Sequence, residues 1–283
     1  MQTFSPLRYP GGKNKTYNYV KHLVIQNNIS TYIEPFAGGA AVALRLLLNN
    51  DVKYIIINDY DPSIFAFWDT VVNNSEALIE LINSTPITIE EWYKQKHIQN
   101  NKNNVSKIEL AFSTLFLNRT NRSGIIKAGV IGGKNQNGAY KLDCRFNKDS
   151  IINKIKNIAE YKNRIQVYNM DAKDFISTII KKTRKSLTFF DPPYYEKGPD
   201  LYTNFYTHDD HVELANIIHK HMKNRYWILT YDISKQIEEL YSKYTMVKYY
   251  LNYSIATPIK GQEFLFYSKK LSTESVEEYL QLV

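Results

Sequence analysis

The sequence has little cysteine and no long apolar run. Its single cysteine, Cys144, cannot form an internal disulfide, which is typical of a reducing compartment, so we expect a cytoplasmic protein. The first residues, MQTFSPLRYPGGK, contain no apolar segment of the kind found in secretory signals. No stretch reaches the roughly 18 apolar residues that a membrane span needs, and we expect no association with a membrane.

Positive charge is concentrated in one part of the chain. The 283 residues carry a net charge of +8. Between Asn118 and Arg164 there are 11 Lys and Arg but only 3 Asp and Glu, so this segment accounts for the whole excess. Such localisation favours a surface that binds a nucleic acid, and a solvated basic face is the alternative.

Two stretches alternate between β-prone runs and helical patterns. The first has strands at 32–34 and 54–57, with helices at 38–48 and from about Pro62. The second has strands at 165–168, 187–190 and 226–230, with helices at 172–182, 209–222 and 234–240. Two β-rich runs, 246–251 and 263–267, follow and could form an antiparallel hairpin. The alternation predicts an α/β fold with a doubly wound, mostly parallel sheet that is mixed at one edge.

The region from 70 to 160 breaks this rhythm. It has helical patterns at 75–83 and 106–117 and then becomes loop-like and basic. Asn137-Gly138 is a strong turn signal, which predicts the returning arm of a hairpin at 139–146. We therefore expect a main domain made of 1–69 and 161–283, with 70–160 as an inserted domain.

A carboxylate, a carbonyl and an aromatic ring follow one of the apolar runs. Asp191-Pro192-Pro193-Tyr194 comes directly after the predicted strand at 187–190, where ligands bind in open α/β sheets. The prolines stiffen the loop and lack N–H donors. Asp191 and the Pro192 carbonyl can each accept one N–H from the exocyclic amine of a planar base, and Tyr194 can stack on that base. An ordinary strand-ending turn is the alternative.

A glycine loop lies between the first predicted strand and its helix, in Glu34-Pro35-Phe36-Ala37-Gly38-Gly39-Ala40. Glycine lets the backbone approach a ligand, and the absence of a following Gly-Lys-Ser/Thr excludes a triphosphate loop. Asp59 ends the next strand 21 residues after Gly38, at a distance suited to binding two ribose hydroxyls. The pattern indicates a nucleoside-type cofactor, and dehydrogenases share it.

Two shorter features are less specific. Asp171 follows the strand at 165–168 and could accept from an adenine amino group of the cofactor or cap the next helix. Tyr9-Pro10-Gly11-Gly12-Lys13 offers a ring, flexible backbone and a cation, and by itself it is typical of a turn before a helix.

Taken in order, these motifs resemble the Dam-like (D12 class) family of adenine-N6 DNA methyltransferases. The matches extend over nearly the whole chain and comprise Tyr9 to Lys13, Glu34 to Gly38, Asp59, Asn118-Arg119-Thr120, Asp171, and Asp191 to Tyr194. The chain departs from the family at Ala40, where the motif Phe-x-Gly-x-Gly often ends in glycine. Alanine is small, so we expect cofactor binding to survive.

The resemblance implies a seven-stranded methyltransferase sheet, S-adenosyl-L-methionine as cofactor, and an inserted helical and hairpin region that recognises DNA. It implies that the cofactor is bound by Tyr9, Gly12, Lys13, Glu34, Phe36, Gly38, Asp59, Asp171 and Asp191. It implies that an adenine flipped out of duplex DNA is held by the catalytic residues Asp191, Pro192 and Tyr194. Candidates for DNA contact in the insert are Arg119, Asn121, Arg122, Lys127, Lys134, Lys141, Arg145 and Lys148. No metal is required.

The implied activity is site-specific methylation of double-stranded DNA, in restriction-modification or in Dam-like marking. We expect a monomer, with a cognate restriction endonuclease as a candidate partner. Methylation of adenine in RNA would use the same tetrad, and a DNA-binding protein without activity would keep the basic insert. A nicotinamide oxidoreductase would leave both the tetrad and the insert unexplained.

Overall fold

A seven-stranded sheet with the order β3-β2-β1-β4-β5-β7-β6 organises the chain. The computed structural model describes residues 3–9, 13–196, 206–253, 259–272 and 276–283. The strands are β1 (Thr31–Glu34), β2 (Tyr54–Asn58), β3 (Ile165–Tyr168), β4 (Ser186–Phe190), β5 (Tyr226–Asp232), β6 (Thr245–Tyr253) and β7 (Ile259–Tyr267). Strands β1 to β5 pair in parallel, whereas β7 is antiparallel to both β5 and β6. The predicted mostly parallel α/β sheet with a mixed edge is confirmed.

The direction in which the sheet grows reverses at β1. The chain first adds β2 and β3 on one side of β1 and then returns to add β4 and β5 on the other. A crevice opens at such a reversal, beyond the carboxyl ends of the strands. The segments that follow β1 to β4 therefore share one edge of the sheet.

Helices cover both faces of the sheet. They are α1 (Tyr17–Gln26), α2 (Ala41–Leu48), α3 (Pro62–Asn73), α4 (Ser75–Ser84), α5 (Ile89–Asn100), α6 (Lys107–Thr120), α7 (Lys148–Ala159), α8 (Ala172–Thr178), α9 (His208–His221), α10 (Lys235–Leu240) and α11 (Val276–Tyr279). Helices α1 to α7 contribute to one hydrophobic cluster, and α8, α9 and α10 to another. Successive residues of β2 alternate between the clusters, with Ile55 and Ile57 in the first and Ile56 in the second. Burial on both faces is why β2 is a continuous apolar run.

The predicted returning arm of a hairpin at 139–146 is wrong. This stretch contains a 3-10 turn, Leu142–Arg145, and no strand. The side-chain amide of Gln136 crosses the loop, donating to two backbone carbonyls and accepting the N–H of Leu142 at 2.8 Å. Phe146 packs on Phe116 of α6, with the ring centroids 5.5 Å apart. Side-chain anchoring, rather than strand pairing, therefore shapes the chain after Asn137-Gly138.

Within the part of the chain that the structure describes, no helix has the length and apolarity needed to cross a bilayer.

Candidate active site

Four acidic residues follow neighbouring strands at one edge of the sheet. In spatial order, Asp171 comes after β3, Asp59 after β2, Glu34 at the end of β1 and Asp191 after β4. The three aspartates are half-buried, and Glu34 is buried. Parallel pairing of the strands brings all four to the crevice edge.

Asp59 fixes the glycine loop from the neighbouring strand. Its Oδ2 accepts the N–H of Gly38 at 2.8 Å, and its Oδ1 accepts the N–H of Asp61 at 3.0 Å. Burial raises the pKa of Asp59 to about 7, although both N–H groups favour its charged form. Phe36 of the same loop is half-buried and meets the ring of Tyr206 edge to face, with centroids 6.0 Å apart. The glycine loop thus presents the aromatic ring of Phe36 and is held by the carboxylate of Asp59 from the neighbouring strand.

The ring of Tyr9 lies against this loop. A Cβ at Gly38, where φ is +46°, would lie 2.6 Å from Cζ of Tyr9, and a Cβ at Gly39 would lie 3.0 Å from Cβ of Tyr9. Only glycine leaves room for the ring at Gly38 without strain. Trp68 of α3 holds the loop by donating its Nε1 to the Gly38 carbonyl at 2.8 Å. The remainder of the predicted Tyr9 to Lys13 motif, including Gly12, lies outside the described residues except for Lys13.

Glu34 and Asp171 accept N–H groups at helix starts. Ala40, the N-cap of α2, has φ of +46° and supplies no side-chain cap, and Oε1 of Glu34 accepts the N–H of Ala43 at 3.2 Å. Burial raises the pKa of Glu34 to about 8. Asp171 caps α8 by accepting the N–H of Lys173 at 2.8 Å. The capping alternative considered for Asp171 is therefore present, and cofactor contact by these residues stays a prediction.

Asp191 is held through one of its two carboxylate oxygens. Its Oδ1 lies 2.9 Å from Nζ of Lys13 and accepts the hydroxyl of Thr230 at 2.7 Å. The side chain of Asp191 is 27% exposed, and no described residue hydrogen-bonds its Oδ2. Burial raises the pKa of Asp191; Lys13 opposes the rise and the negative charge of Glu263 reinforces it. Within the described part of the chain, the contacts of the Asp191 carboxylate therefore engage one oxygen, Oδ1, and contact of the other with a ligand stays a prediction.

The ring of Tyr194 is buried, with 2% of its surface exposed. Its hydroxyl donates to Oε1 of Glu263 and accepts from Nζ of Lys13 at 3.1 Å. Pro192 is buried as well. Stacking of Tyr194 on a base requires that a face of the ring be uncovered, and this role stays a prediction.

Glu263, in the middle of β7, is completely buried. Its Oε1 receives the Tyr194 hydroxyl and lies 3.4 Å from Nζ of Lys13, while its Oε2 accepts the hydroxyl of Tyr249 at 2.5 Å. A buried carboxylate needs such donors to offset its lost hydration. Lys13 therefore lies between two carboxylates, those of Asp191 and Glu263.

Three residues predicted to contact DNA are engaged inside the protein. Arg119 donates to the carbonyl of Pro6, and burial lowers its pKa to about 10. Asn121 is buried and accepts the indole N–H of Trp92 at 2.7 Å. Lys148 donates to two carbonyls at the end of α4, each at 2.8 Å. Asn121 and Lys148 bond to other parts of the segment 70–160, and Arg119 bonds to the N-terminal segment; contact with DNA stays a prediction for all three.

The other five predicted contacts are exposed side chains: Arg122, Lys127, Lys134, Lys141 and Arg145. Two of them, Arg122 and Lys134, line a cavity of about 430 Å³ together with Lys96 and Trp92 of α5. Nζ of Lys96 lies 4.9 Å from the Trp92 ring centroid. No carboxylate is among the residues that line the cavity. Its three cations give it a local positive potential.

A known family model matches most of the chain. Residues 9–255 match the model for the D12 class N6 adenine-specific DNA methyltransferases. The chain belongs to this family. The predicted enzyme class, an adenine-specific DNA methyltransferase, is thereby confirmed, and its reaction requires a methyl donor.

Relatives of this methyltransferase occur in distant organisms. The chain is 26% identical over 234 residues to the type II methyltransferase M.MjaIII of Methanocaldococcus jannaschii, covering 76% of this chain and 78% of that protein. It is 25% identical over 254 residues to the type II methyltransferase M1.LlaDCHI of Lactococcus lactis subsp. cremoris, covering 85% of each. It is also 25% identical over 257 residues to the type II methyltransferase M.CviBI of Paramecium bursaria Chlorella virus NC1A, covering 87% of this chain and 90% of that protein.

Sequence reasoning missed three residues at the edge of the methyltransferase sheet: Thr230, Asp232 and Glu263. Asp232 accepts the N–H of Tyr195 at 2.8 Å and that of Glu196 at 3.0 Å, which fixes the chain after the tetrad. The signal for Glu263 was a charged residue preceding the apolar run FLFY within one predicted strand. Charged residues are seldom fully buried unless they are paired, so Glu263 could have been flagged there.

Proposed function

We propose that this methyltransferase transfers a methyl group from S-adenosyl-L-methionine to N6 of an adenine flipped out of duplex DNA. The observation that carries the proposal is the asymmetric fixing of Asp191, whose Oδ1 is held by Lys13 and Thr230 and whose Oδ2 receives no hydrogen bond from the described residues. The site lies where the sheet order reverses, beside the glycine loop.

The residues at the crevice fit S-adenosyl-L-methionine. Asp59 and Asp171 are partly exposed acceptors for hydroxyl and amino groups, and Phe36 offers a ring for a flat base. Because Gly38 has no Cβ, its backbone and the Tyr9 ring are in close contact and form one continuous surface. When bound, the cofactor supplies an activated methyl group on a sulfonium.

The tetrad prepares the adenine for attack. Oδ2 of Asp191 and the carbonyl of Pro192 each accept one N–H of the exocyclic amine, which draws the nitrogen lone pair out of conjugation with the ring. Because burial raises the pKa of Asp191, its carboxylate is a competent acceptor for the proton that N6 releases as the new N–C bond forms and the bond between the methyl carbon and the donor sulfur breaks. Extruding the base costs a few kcal/mol, which contacts to the flipped base and the DNA backbone offset.

Cofactor affinity is expected to depend on pH through Asp59. The pKa of this carboxyl is raised to about 7, so it is charged above that pH and accepts ribose hydroxyls best there. Below it, a proton occupies one oxygen, and the Kd for S-adenosyl-L-methionine should rise by about tenfold per pH unit. Calorimetric titration between about pH 5.5 and pH 8.5 measures this. The Asp59→Asn variant should bind weakly with a flat profile; an unchanged slope in that variant would contradict the assignment.

The DNA-recognition domain is proposed to be the insert 70–160, with 1–69 and 161–283 forming the catalytic domain. The support is electrostatic, because the net charge of the chain resides between Asn118 and Arg164. The cavity lined by Lys96, Arg122 and Lys134 suits backbone phosphates. The remaining exposed cations of this segment, Lys127, Lys141 and Arg145, would extend the contact.

Removing two cavity cations is expected to weaken DNA binding at every sequence. In the Arg122→Ala/Lys134→Ala variant, the slope of log K against log salt concentration should fall by about two, because two phosphate contacts are lost. Fluorescence anisotropy with a labelled duplex measures the slope. The matched control is Lys220→Ala/Lys223→Ala, which removes two exposed lysines at the end of α9 and just beyond it. Equal slopes in the two double variants would exclude the cavity from the interface.

The biological setting is proposed to be restriction-modification, since the relatives described above are type II methyltransferases. A monomer is the proposed oligomeric state. A cognate restriction endonuclease is the expected partner.

The test of the proposal is transfer of labelled methyl from S-adenosyl-L-methionine to unmethylated duplex DNA, with single-stranded RNA of the same sequence in parallel. We expect N6-methyladenine in the duplex at a defined site. Preferential labelling of the RNA would mean that RNA, and not duplex DNA, is the substrate. Tight DNA binding with neither methyl transfer nor cofactor binding would support a protein that only binds DNA.

A further inference from the structure

Glu263 lies too deep to touch a substrate but is joined to the proposed catalytic carboxylate through one side chain. It is 0% exposed, whereas Asp191 is 27% exposed at the crevice. Lys13 connects them, with its Nζ 2.9 Å from Oδ1 of Asp191 and 3.4 Å from Oε1 of Glu263. Among the described contacts, Lys13 links Glu263 to Asp191, and Tyr194 links it to the tetrad.

The carboxylate of Glu263 is the best anchored member of this group. It projects from the interior of β7, between β5 and β6, and Tyr249 is its direct cross-strand partner on β6. The hydroxyls of Tyr249 and Tyr194 occupy different oxygens of the carboxylate. Sites held by regular sheet are positioned more sharply than those on loops, and Asp191 lies in the loop after β4.

Without Lys13, few described contacts would fix the orientation of the Asp191 carboxylate. Without Lys13 in place, its Oδ1 would keep the hydroxyl of Thr230 as its other described donor. A carboxylate with a single anchor can rotate about its terminal bond, since this torsion has a broad profile. Rotation would move Oδ2 away from the amine that it must accept.

We propose that Glu263 is a positioning residue for methyl transfer, which locks Lys13 on Oδ1 of Asp191 so that Oδ2 stays directed at the adenine amine. The inference rests on the proposed function, in which Asp191 accepts from N6. It assigns to β7 a part in the chemistry that the tetrad does not include.

The Glu263→Gln variant tests this, because the amide keeps the shape and removes the charge that holds Lys13. We expect kcat for methylation to fall about 10- to 100-fold, with KM for DNA and Kd for the cofactor unchanged. A merely structural role would instead lower the melting temperature and the fraction of active enzyme, without this division between kcat and KM. The matched control is Glu277→Gln, the same change at an exposed site on α11.

A second variant, Tyr249→Phe, keeps the charge and removes one anchor from Oε2. We expect kcat to fall about three- to tenfold, again at constant KM. If Glu263→Gln does not fold, this variant decides the matter. A folded Glu263→Gln protein with wild-type kcat would overturn the inference. If Glu263→Gln is unfolded, wild-type kcat in Tyr249→Phe would overturn it. An Asp191→Asn protein assayed alongside separates the two proposals. If it is as active as wild type, the proposed function fails. If Asp191→Asn is inactive while Glu263→Gln is fully active, the proposed function stands and only the role of Glu263 is refuted.

Discussion

Asp191→Ala is expected to lower the single-turnover methylation rate by about 10²- to 10⁴-fold while the protein stays folded. The variant loses the oxygen that, in the proposed mechanism, accepts from N6 and takes up its proton. It should remain folded because Lys13 keeps a second counter-charge, Oε1 of Glu263 at 3.4 Å, and is not left as an isolated buried cation. Rapid-quench measurement of methyl incorporation gives the rate, and a thermal melt reports the fold.

The matched control for this experiment is Asp209→Ala, the same change at an exposed position in the first turn of α9. It should methylate at the wild-type rate. A folded Asp191→Ala protein with full activity would remove Asp191 from the catalytic role, and with it the tetrad as the place of reaction.

Lys13→Met is expected to cost stability as well as activity. It leaves the carboxylates of Asp191 and Glu263 near each other without the cation between them, and breaking a buried pair in this way costs about 3–5 kcal/mol of unfolding free energy. Loss of Lys13 raises the pKa of Asp191 further, so its folded form takes up a proton more readily. A raised folded pKa means that stability falls as pH rises, and the loss should be smaller at about pH 5 than at about pH 8.

Urea unfolding at the two pH values measures this difference. The control is Lys21→Met, which breaks the partly exposed ion pair with Asp51 at 2.8 Å, where the lysine side chain is 40% exposed. That change should cost no more than about 1 kcal/mol at either pH. A Lys13→Met protein as stable as the control would contradict the assignment of Lys13 as the cation that stabilises the two carboxylates.

The fold was predictable from local patterns because its parallel strands are buried on both faces. Runs such as Ile55 to Ile57 are typical of strands in a sheet covered on both faces, and Pro62 marks the start of α3. The hairpin at 139–146 was predicted wrongly, since a two-residue turn signal carries no information about a distant partner. The contact of Phe146 with Phe116 and the bonds of Gln136 decide that region, and both depend on tertiary structure.

Site residues in motifs that directly follow predicted strands could be predicted from the sequence. Those that β5 and β7 contribute from later in the chain could not. Asp59 and Asp191 could be placed at one edge from the parallel topology alone. The sequence did not predict their hydrogen-bond partners: Asp59 accepts the N–H of Gly38, and Asp191 accepts the hydroxyl of Thr230 of β5. The basic residues illustrate the same limit, because Arg119 and Arg122 look alike in sequence, yet the half-buried Arg119 donates to the Pro6 carbonyl and the exposed Arg122 lines a cavity.

The contact between Lys13 and Glu263 joins positions 250 residues apart. Contacts of such high sequence separation form late, because the loop that they close is costly in entropy. A chain emerging from the ribosome acquires its glycine loop and its tetrad well before it acquires β7. If Glu263 orients Lys13 and Asp191 as proposed, the nascent enzyme contains the motifs of a methyltransferase before it contains the charge arrangement that orients them, and we expect catalytic competence only after that antiparallel edge has folded.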